Sequence, residues 1–242
     1  MNKIKKKKSP SGIFITGTDT GVGKTVIASS LATYMNSCGH KVSVMKPIET
    51  GCAVRSNVLV PSDGMKLKYA AGSNEQLSNI APVRFKNPIA PMPAAKLEKK
   101  PVDIKRIESC FHSLQRESDF IIVEGLGGIL VPISKGYSVR DLIKKLDLPL
   151  LIVARPVLGT LNHILLTVEA ARKEKIEVKA IVLSGFNNKT KNIAERTNPD
   201  VLKELLPDIP LFLFPKIERI NPSEIRKEAG DVLSPLADLL IK

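Results

Sequence analysis

The sequence predicts an α/β fold in which helices cover both faces of a mostly parallel central sheet. Three observations predict it: short apolar runs recur along the chain, segments of helical character separate them, and a glycine-rich turn follows the first run. The runs are continuous rather than alternating, as expected of strands buried on both faces. Strand and helix taking turns is typical of a parallel sheet. The predicted strands are residues 13–15, 42–45, 120–123, 150–153, 180–183 and 211–214.

Helices are predicted in the segments between and after these strands. The predicted helices are residues 24–38, 64–71, 103–116, 161–175 and 199–206. Residues 51–101 otherwise have the irregular character of loops around one short helix. The C-terminal segment 231–242 predicts a helix that packs on the core rather than on a membrane. Its inward-facing residues are Leu233, Leu236, Leu239 and Leu240.

The composition excludes several classes of protein. With 242 residues, 43% of them hydrophobic and 25% charged, the chain has the balance of a globular domain and not of a disordered segment. No apolar run approaches the roughly 20 residues that span a bilayer. The lysine-rich start is not followed by the apolar core of a signal peptide. We therefore expect a cytoplasmic protein without a membrane partner.

Cysteine and histidine positions argue against disulfide and zinc sites. Cys38, Cys52 and Cys110 show no CxxC spacing, and their odd number leaves one unpaired in any disulfide scheme. This favours free thiols in a reducing compartment. The three histidines are far apart, with no HExxH motif.

The basic charge is concentrated at the N-terminus. The formal net charge is +13, and five of these charges are lysines of the first eleven residues. The chain contains no tryptophan and only 4% aromatic residues, so a base-stacking platform is hard to build. We expect a solvated basic tail at residues 1–11, a single domain at 12–242 and no nucleic-acid partner. Contact between the tail and nucleic acid is the alternative.

A glycine-rich loop at residues 17–25, GTDTGVGKT, lies between the first predicted strand and the first long helix. Such glycines let backbone N–H groups surround phosphate oxygens, and the helix adds its positive N-terminal end. Lys24 would reach the β- and γ-phosphates, and the Thr25 hydroxyl would bind Mg²⁺. The P-loop pattern GxxxxGK[ST] wants glycine at position 18, where this chain has Thr18 with Gly17 beside it. The alternative is a glycine-rich turn with a chance lysine.

Three charged residues are expected at the same edge of the sheet. Glu124 follows a predicted strand and Lys46 ends another, and ligands bind at the carboxyl ends of parallel strands. A second lysine suits the charge that develops during phosphoryl transfer. Asp63 is either a further Mg²⁺ ligand or a residue that caps the helix beginning at Gly64. Solvated strand ends are the alternative for Lys46 and Glu124.

Taken together, these residues resemble the dethiobiotin synthetase family. The resemblance is carried by residues 17–25, Lys46-Pro47 with Thr50-Gly51, Ser62-Asp63, the Glu124-Gly-x-Gly-Gly128 motif and residues 158–163, in the family's order. It covers about residues 12–165, and the chain beyond Ile176 matches only loosely. The implied fold is a single P-loop NTPase-like domain.

The resemblance implies a homodimeric, ATP- and Mg²⁺-dependent ligase of biotin synthesis. Its substrates would be 7,8-diaminononanoate and CO₂, and it would close the ureido ring of dethiobiotin with release of ADP and phosphate. In that family the diamine forms a carbamate, the γ-phosphoryl group is transferred to it, and the second amine displaces phosphate. Such a reaction needs mainly positioning and cationic stabilisation.

The resemblance also implies roles for particular residues. Lys46 and Lys24 would be catalytic, and the metal ligands would be Thr25, Asp63 and Glu124. The residues expected to contact ATP are Gly21, Val22, Gly23, Lys24, Thr25, Val26, Asp63, Glu124, Gly125, Leu126, Gly127, Ser184, Gly185, Pro215 and Lys216. The residues expected to contact the diamine substrate are Thr20, Thr50, Gly159, Thr160 and Asn162. The last three would do so across a subunit interface, while His163 would only begin a helix.

Two departures from the family's pattern and two alternatives stay open. Ser184-Gly185-Phe186-Asn187 stands where relatives often carry an Asn-Asp adenine contact, which leaves the nucleotide preference open, and Leu126 replaces an alanine. An amidoligase or small-molecule kinase on the same scaffold is one alternative, since fold alone does not decide function. A partition-type ATPase is the other, although its KGGxGK pattern would need a lysine at Asp19.

Overall fold

A six-stranded parallel sheet forms the centre of the molecule. The computed structural model describes residues 11–241, so residues 1–10 of the predicted basic tail lie outside the described residues. The strands are β1 (Ser11–Gly17), β2 (Val42–Met45), β3 (Ile48–Glu49), β4 (Ala53–Arg55), β5 (Val58–Val60), β6 (Val83–Arg84), β7 (Phe120–Gly128), β8 (Pro132–Ser134), β9 (Tyr137–Ser138), β10 (Leu150–Ala154), β11 (Val178–Phe186) and β12 (Leu211–Pro215). The helices are α1 (Lys24–Ser37), α2 (Ser62–Ala70), α3 (Leu77–Ile80), α4 (Pro91–Leu97), α5 (Ile104–Arg116), α6 (Val139–Leu146), α7 (Thr160–Lys173), α8 (Ile193–Leu205) and α9 (Pro222–Ile241).

The strand order places β1 and β7 side by side in the interior of the sheet. The order is β12-β11-β10-β1-β7-β2, and every neighbouring pair is parallel. All six predicted apolar runs are strands of this sheet, so that prediction is confirmed. Because the strands are parallel, their carboxyl ends meet at one edge, where the loop after β1 lies between the ends of β10 and β7.

Alternate residues of each strand face two separate hydrophobic layers. In β1, Phe14 belongs to the layer covered by α5, α6, α7 and α8, whereas Ile13 and Ile15 belong to the layer covered by α1, α2 and α9. All three are fully buried. The expectation of helices on both faces of the sheet is confirmed.

Two predicted helices, α8 and α9, begin at least six residues earlier than expected. The helix expected at 199–206 begins at Ile193, where the Asn192 side chain accepts a hydrogen bond from the Glu195 N–H, and Pro199 lies inside it. The C-terminal helix begins at Pro222 rather than at 231. Proline fits the first turn of a helix, because a backbone N–H there would have no partner within the helix. Pro199 was therefore misread as the start of a helix, although it lies inside α8. Pro222, which does begin a helix, was not recognised as a start.

The C-terminal helix packs on the core as predicted. In α9, Leu233, Leu236 and Leu240 are buried, and Leu239 is partly buried against the same layer. Along residues 11–241, no helix combines the length and the apolar character needed to cross a membrane.

Residues 51–101 contain more regular structure than the sequence predicts. Besides α2, the segment folds into the β4–β5 hairpin, the helices α3 and α4, and the strand β6. These elements are two to seven residues long, too short for a hydrophobic period to be visible. The expectation of loops around a single helix was therefore wrong.

Leu233→Ala tests the core-facing role of α9. The side chain is fully buried, so its truncation should lower the free energy of unfolding by about 2–5 kcal/mol. Leu205→Ala is the matched control, because Leu205 ends α8 with 51% of its surface exposed. Its effect should stay within about 0.5 kcal/mol. Urea denaturation measures both, and equal losses would contradict the assigned packing.

Candidate active site

The loop after β1 owes its shape to its glycines. Gly21 and Gly23 have φ angles of +67° and +105°, in the left-handed region that side chains disfavour. Gly23 is the N-cap of α1, so the helix axis points its amino end into the loop. Gly17 is needed for a different reason, since a Cβ there would lie 2.7 Å from the Asp19 carbonyl oxygen and 2.7 Å from the Lys24 Nζ. The backbone of the loop therefore leaves no room for a side chain at position 17.

Lys24 folds back over its own loop. Its Nζ donates a hydrogen bond of 2.8 Å to the Asp19 carbonyl oxygen. Burial, and then the positive charge of Lys46, lower the pKa of Lys24 to about 8, against the opposing effect of Glu124. A loop holding a buried, weakly compensated ammonium group is complementary to an anion.

A buried ion pair joins Lys46, directly after β2, to Glu124, in the middle of β7. The register pairs Met45 with Val123, so the next residues, Lys46 and Glu124, are neighbours across the two strands. The Lys46 Nζ lies 2.6 Å from the Glu124 Oε1 and 2.9 Å from the Gly125 carbonyl oxygen. Both side chains are at most 5% exposed. The register of the sheet brings the two side chains together, and their burial excludes the alternative of solvated strand ends.

The charge of Lys46 is held in place by its acceptors. Burial disfavours the ammonium form, but the carboxylates of Glu124 and Asp63 outweigh burial and raise the pKa of Lys46. The Asp63 Oδ2 lies 3.5 Å from the same Nζ. A charged Lys46 therefore lines the same cavity as Lys24 and lies near enough to lower its pKa.

One carboxylate oxygen of this cluster has no protein partner. The Glu124 Oε1 accepts from Lys46 and from the Thr25 hydroxyl, the latter at 2.8 Å, whereas the Glu124 Oε2 is buried without a hydrogen bond. Buried polar atoms are rarely left unpaired, so this oxygen points to a ligand. The Thr25 hydroxyl donates its hydrogen bond to Glu124, so its oxygen keeps a lone pair for another partner. Together with Asp63, these oxygens are hard donors of the kind that Mg²⁺ takes.

Two contacts at this edge were missed from the sequence. The Glu49 carboxylate is 5% exposed and accepts two backbone hydrogen bonds, from Asp63 and from Gly64, each of 2.9 Å. Burial raises the pKa of Glu49, and these two N–H groups oppose the rise. Arg155, after β10, donates to the Gly21 carbonyl oxygen through Nε at 3.1 Å and Nη2 at 2.5 Å. Each contact joins two segments that lie apart in the chain: β3 with the start of α2, and the residue after β10 with the loop after β1. No local pattern in the sequence therefore signals them.

Most of the predicted site residues line one cavity of about 360 Å³ at the carboxyl edge of the sheet. The predicted residues that line it are Thr20, Gly21, Gly23, Lys24, Thr25, Val26, Lys46, Thr50, Asp63, Glu124, Leu126 and Gly127. Ile48 and Glu49 complete its lining. Val22 is buried behind the loop, and Gly125 contributes its carbonyl oxygen to Lys46.

Four other residues expected to contact ATP lie in or directly after β11 and β12, on the opposite side of β1 from β7 and β2. Ser184 and Gly185 lie near the end of β11, Pro215 ends the neighbouring β12, and Lys216 follows it. Ser184 reaches the loop, because a Cβ added to Gly23 would overlap its hydroxyl. None of these four residues lines the cavity that holds Lys46.

The remaining predicted substrate residues stand apart from that cavity. Gly159 is the N-cap of α7 with φ +92°, Thr160 is buried, and Asn162 is exposed. His163 lines a second cavity of about 460 Å³, which shares Thr20 and Gly127 with the first. Within one chain, the α7 loop therefore does not meet Lys46.

Comparisons with known proteins show which proteins this chain is similar to. A family model described as an AAA domain matches residues 11–220. The ATP-dependent dethiobiotin synthetase BioD of Thermodesulfovibrio yellowstonii is 46% identical over 228 residues, which are 90% of this chain and 94% of that protein. The enzyme of the same name from Aquifex aeolicus is 39% identical, over 90% of this chain and 96% of that protein.

Solved structures confirm the fold alone. The septum site-determining protein MinD of Pyrococcus horikoshii, solved with Mg-ADP, superposes with a TM-score of 0.53 at 17% identity, covering 96% of this chain and 94% of that one. The hydrogenase maturation factor HypB of Archaeoglobus fulgidus gives 0.55 at 12% identity, covering 96% and 89%. The predicted P-loop NTPase-like α/β domain is confirmed.

Gly23→Ala tests the geometry of the loop. The substitution places a side chain at φ +105° and against the Ser184 hydroxyl, so it should distort the loop and weaken ATP binding at least tenfold, equivalent to about 1.4 kcal/mol. Gly230→Ala is the control, because nothing lies within 4 Å of the Cβ it would add. Calorimetric titration with a non-hydrolysable ATP analogue measures both affinities. Equal affinities in the two variants would show that the loop does not bind the nucleotide.

Proposed function

The chain belongs to the dethiobiotin synthetase family, and we propose that it closes the ureido ring of dethiobiotin from 7,8-diaminononanoate and CO₂ at the expense of ATP. Such a reaction makes it a ligase of biotin biosynthesis that releases ADP and phosphate. The single observation that carries the proposal is the placement of Lys24 and Lys46 in one cavity, with Thr20 and Thr50 on its wall. A phosphoryl donor and a small acceptor would meet there between two cations.

The nucleotide would bind across the loop at residues 21–26. Its phosphates would take the backbone N–H groups at the amino end of α1, and Lys24 would exchange the Asp19 carbonyl for phosphate oxygens. Val22, Gly125, Leu126 and Gly127 would support the phosphates from below. The base would lie toward Ser184 and Gly185 on one side and Pro215 and Lys216 on the other.

Mg²⁺ would be held by Thr25, Asp63 and Glu124. The donor set fits because the Glu124 Oε2 is buried without a partner and the Thr25 hydroxyl keeps a lone pair free. When bound, Mg²⁺ neutralises charge on the phosphate oxygens of ATP. Lys46 occupies the other oxygen of Glu124 and so orients that carboxylate.

The diamine would bind next to the γ-phosphate, at Thr20, Thr50 and the two lysines. Lys46 would stabilise the carbamate formed with CO₂ and then the negative charge of the phosphoryl group as it is transferred. The second amine would displace phosphate and close the ring. Lys46 suits this role because its carboxylate neighbours keep it protonated.

A second copy of the chain would complete the substrate site. Gly159, Thr160 and Asn162 do not line the cavity of their own chain, and Asn162 is exposed. Leu158 and Leu166, beside them on the surface, are 86% and 56% exposed. We propose a cytoplasmic homodimer in which this loop reaches the carboxylate of the partner's substrate. In each copy, residues 12–242 would form the one domain and 1–11 a basic tail, with neither nucleic acid nor membrane as partner.

The direct test is fixation of labelled bicarbonate. Purified protein would receive Mg²⁺, ATP, labelled bicarbonate and 7,8-diaminononanoate, with the diamine omitted in the control. We expect diamine-dependent, acid-stable label and an equal amount of released phosphate. Phosphate release without fixed label would overturn the substrate assignment and leave an ATPase of another specificity.

Lys46→Ala and Lys24→Ala should fail in different ways. Loss of Lys46 removes stabilisation of the transferring phosphoryl group, so turnover should fall about 10²- to 10³-fold while affinity for an ATP analogue changes little. Loss of Lys24 removes a phosphate contact, so the affinity itself should fall.

Lys41→Ala is the matched control for both variants. Lys41 precedes β2 as Lys46 follows it, but its side chain is 68% exposed at the opposite edge of the sheet. Its turnover should equal that of the unaltered protein. Near-normal turnover of Lys46→Ala in the bicarbonate assay would refute the catalytic role.

A further inference from the structure

We propose that Glu49 is a positioning residue that holds Asp63 against the metal and nucleotide site. Its two carboxylate oxygens each accept one backbone N–H, from Asp63 and from Gly64, at 2.9 Å. Both hydrogen bonds fix the peptide that carries the Asp63 side chain. The proposal rests on the Mg²⁺ ligand set of the proposed function and adds to it a residue that acts through the backbone of one of those ligands.

Glu49 acts as a remote cap of α2. The N-cap position of that helix is Pro61, which offers no side-chain hydrogen bond to the first turn. The carboxylate that satisfies the first N–H groups comes instead from β3, fourteen residues earlier than Asp63. A negative group at a helix N-terminus is favourable. The cap therefore ties the start of α2 to the strand that follows Lys46-Pro47.

The bidentate contact leaves little freedom at the start of α2. Glu49 is 5% exposed, and a Cβ added to Gly64 would lie 3.0 Å from the Ala81 Cβ and 3.6 Å from the Glu49 Oε2. The peptide is thus confined between the carboxylate and Ala81. Both Glu49 oxygens accept a backbone N–H, from Asp63 and from Gly64, so its effect on the site passes through the residues that it holds.

Asp63 is the residue that needs this support. Its carboxylate is 31% exposed and lies 3.5 Å from the Lys46 Nζ and 3.4 Å from the exposed Lys66 Nζ, so both side-chain contacts are long. Without the Glu49 contact, the ion pair with Lys66 could draw Asp63 toward solvent. Partners that orient a metal ligand typically change metal affinity by about 10–100-fold when they are removed.

A double-mutant cycle between Glu49→Gln and Asp63→Asn tests the proposal. The probe is Mn²⁺, whose binding to the protein–ATP analogue complex is followed by electron paramagnetic resonance. Glu49→Gln keeps the size of the side chain but can accept only one of the two hydrogen bonds. We expect it to weaken Mn²⁺ binding about tenfold or more. In the Asp63→Asn background the same change should have less than a twofold effect, because the held ligand is already lost.

Two controls separate positioning from a general loss of structure. Affinity for the ATP analogue without metal should change less than twofold in Glu49→Gln, which a misfolded loop would not allow. Glu98→Gln is the matched variant, since the Glu98 Oε1 also accepts a backbone N–H, from Asn87, outside the cavity. It should leave Mn²⁺ affinity unchanged. If Glu49→Gln unfolds, Glu49→Asp, which keeps the charge but shortens the reach, enters the same cycle.

Each outcome decides a separate point. Equal effects of Glu49→Gln in both backgrounds would overturn the positioning role. No effect of Asp63→Asn alone on Mn²⁺ affinity would overturn both the metal role of Asp63 and the role of Glu49. A coupled pair in a protein that fixes no labelled bicarbonate would uphold the positioning role and overturn the ring-closure proposal alone.

Discussion

The buried ion pair between Lys46 and Glu124 is the constraint on which the site depends. Removing two charges from water is unfavourable, and attraction between them compensates only with good geometry and further hydrogen bonds. Here the Lys46 Nζ has two oxygens within 2.9 Å and the Asp63 Oδ2 at 3.5 Å, while the Glu124 Oε1 accepts from Thr25 as well. The pair thereby joins three elements: the chain directly after β2, the middle of β7 and the first turn of α1.

The parallel register makes this pair possible. Met45 pairs with Val123, and Ile15 pairs with Glu124, so the carboxylate lies between β1 and β2 at the edge where all strands end. A shift of one residue would turn the side chain to the other face of the sheet. The strands that set the register are buried on both faces, which also made them visible as continuous apolar runs in the sequence. Fold and site were therefore predictable from the same pattern, together with the motifs at the ends of three strands.

The contacts between segments that lie apart in the chain could not be predicted from the sequence. Glu49 stands within a motif that was recognised for its lysine and threonine, yet its carboxylate is explained only by the N–H groups of Asp63 and Gly64. The helix-cap alternative for Asp63 fails for a related reason, because Glu49 accepts the first N–H groups of α2, and the Asp63 carboxylate lies 3.5 Å from the Lys46 Nζ. The contact of Arg155 could not be predicted for the same reason. Its acceptor is the backbone carbonyl oxygen of Gly21, and a backbone acceptor leaves no pattern in the sequence. Short elements such as β4, β5 and α3 were not predicted, because they are too short to show a hydrophobic period.

The fold itself does not select the reaction. Structures with TM-scores of 0.53 to 0.55 to this chain carry such different names as a septum-site protein and a hydrogenase maturation factor. In this chain Asp19 stands where the partition-type pattern has a lysine. Here the Asp19 side chain accepts the N–H of Thr20 at 2.6 Å, and its carbonyl receives Lys24. Asp19 thus shapes the turn of its own loop, and the second cation of the cavity comes from Lys46, on a strand end fixed by the sheet.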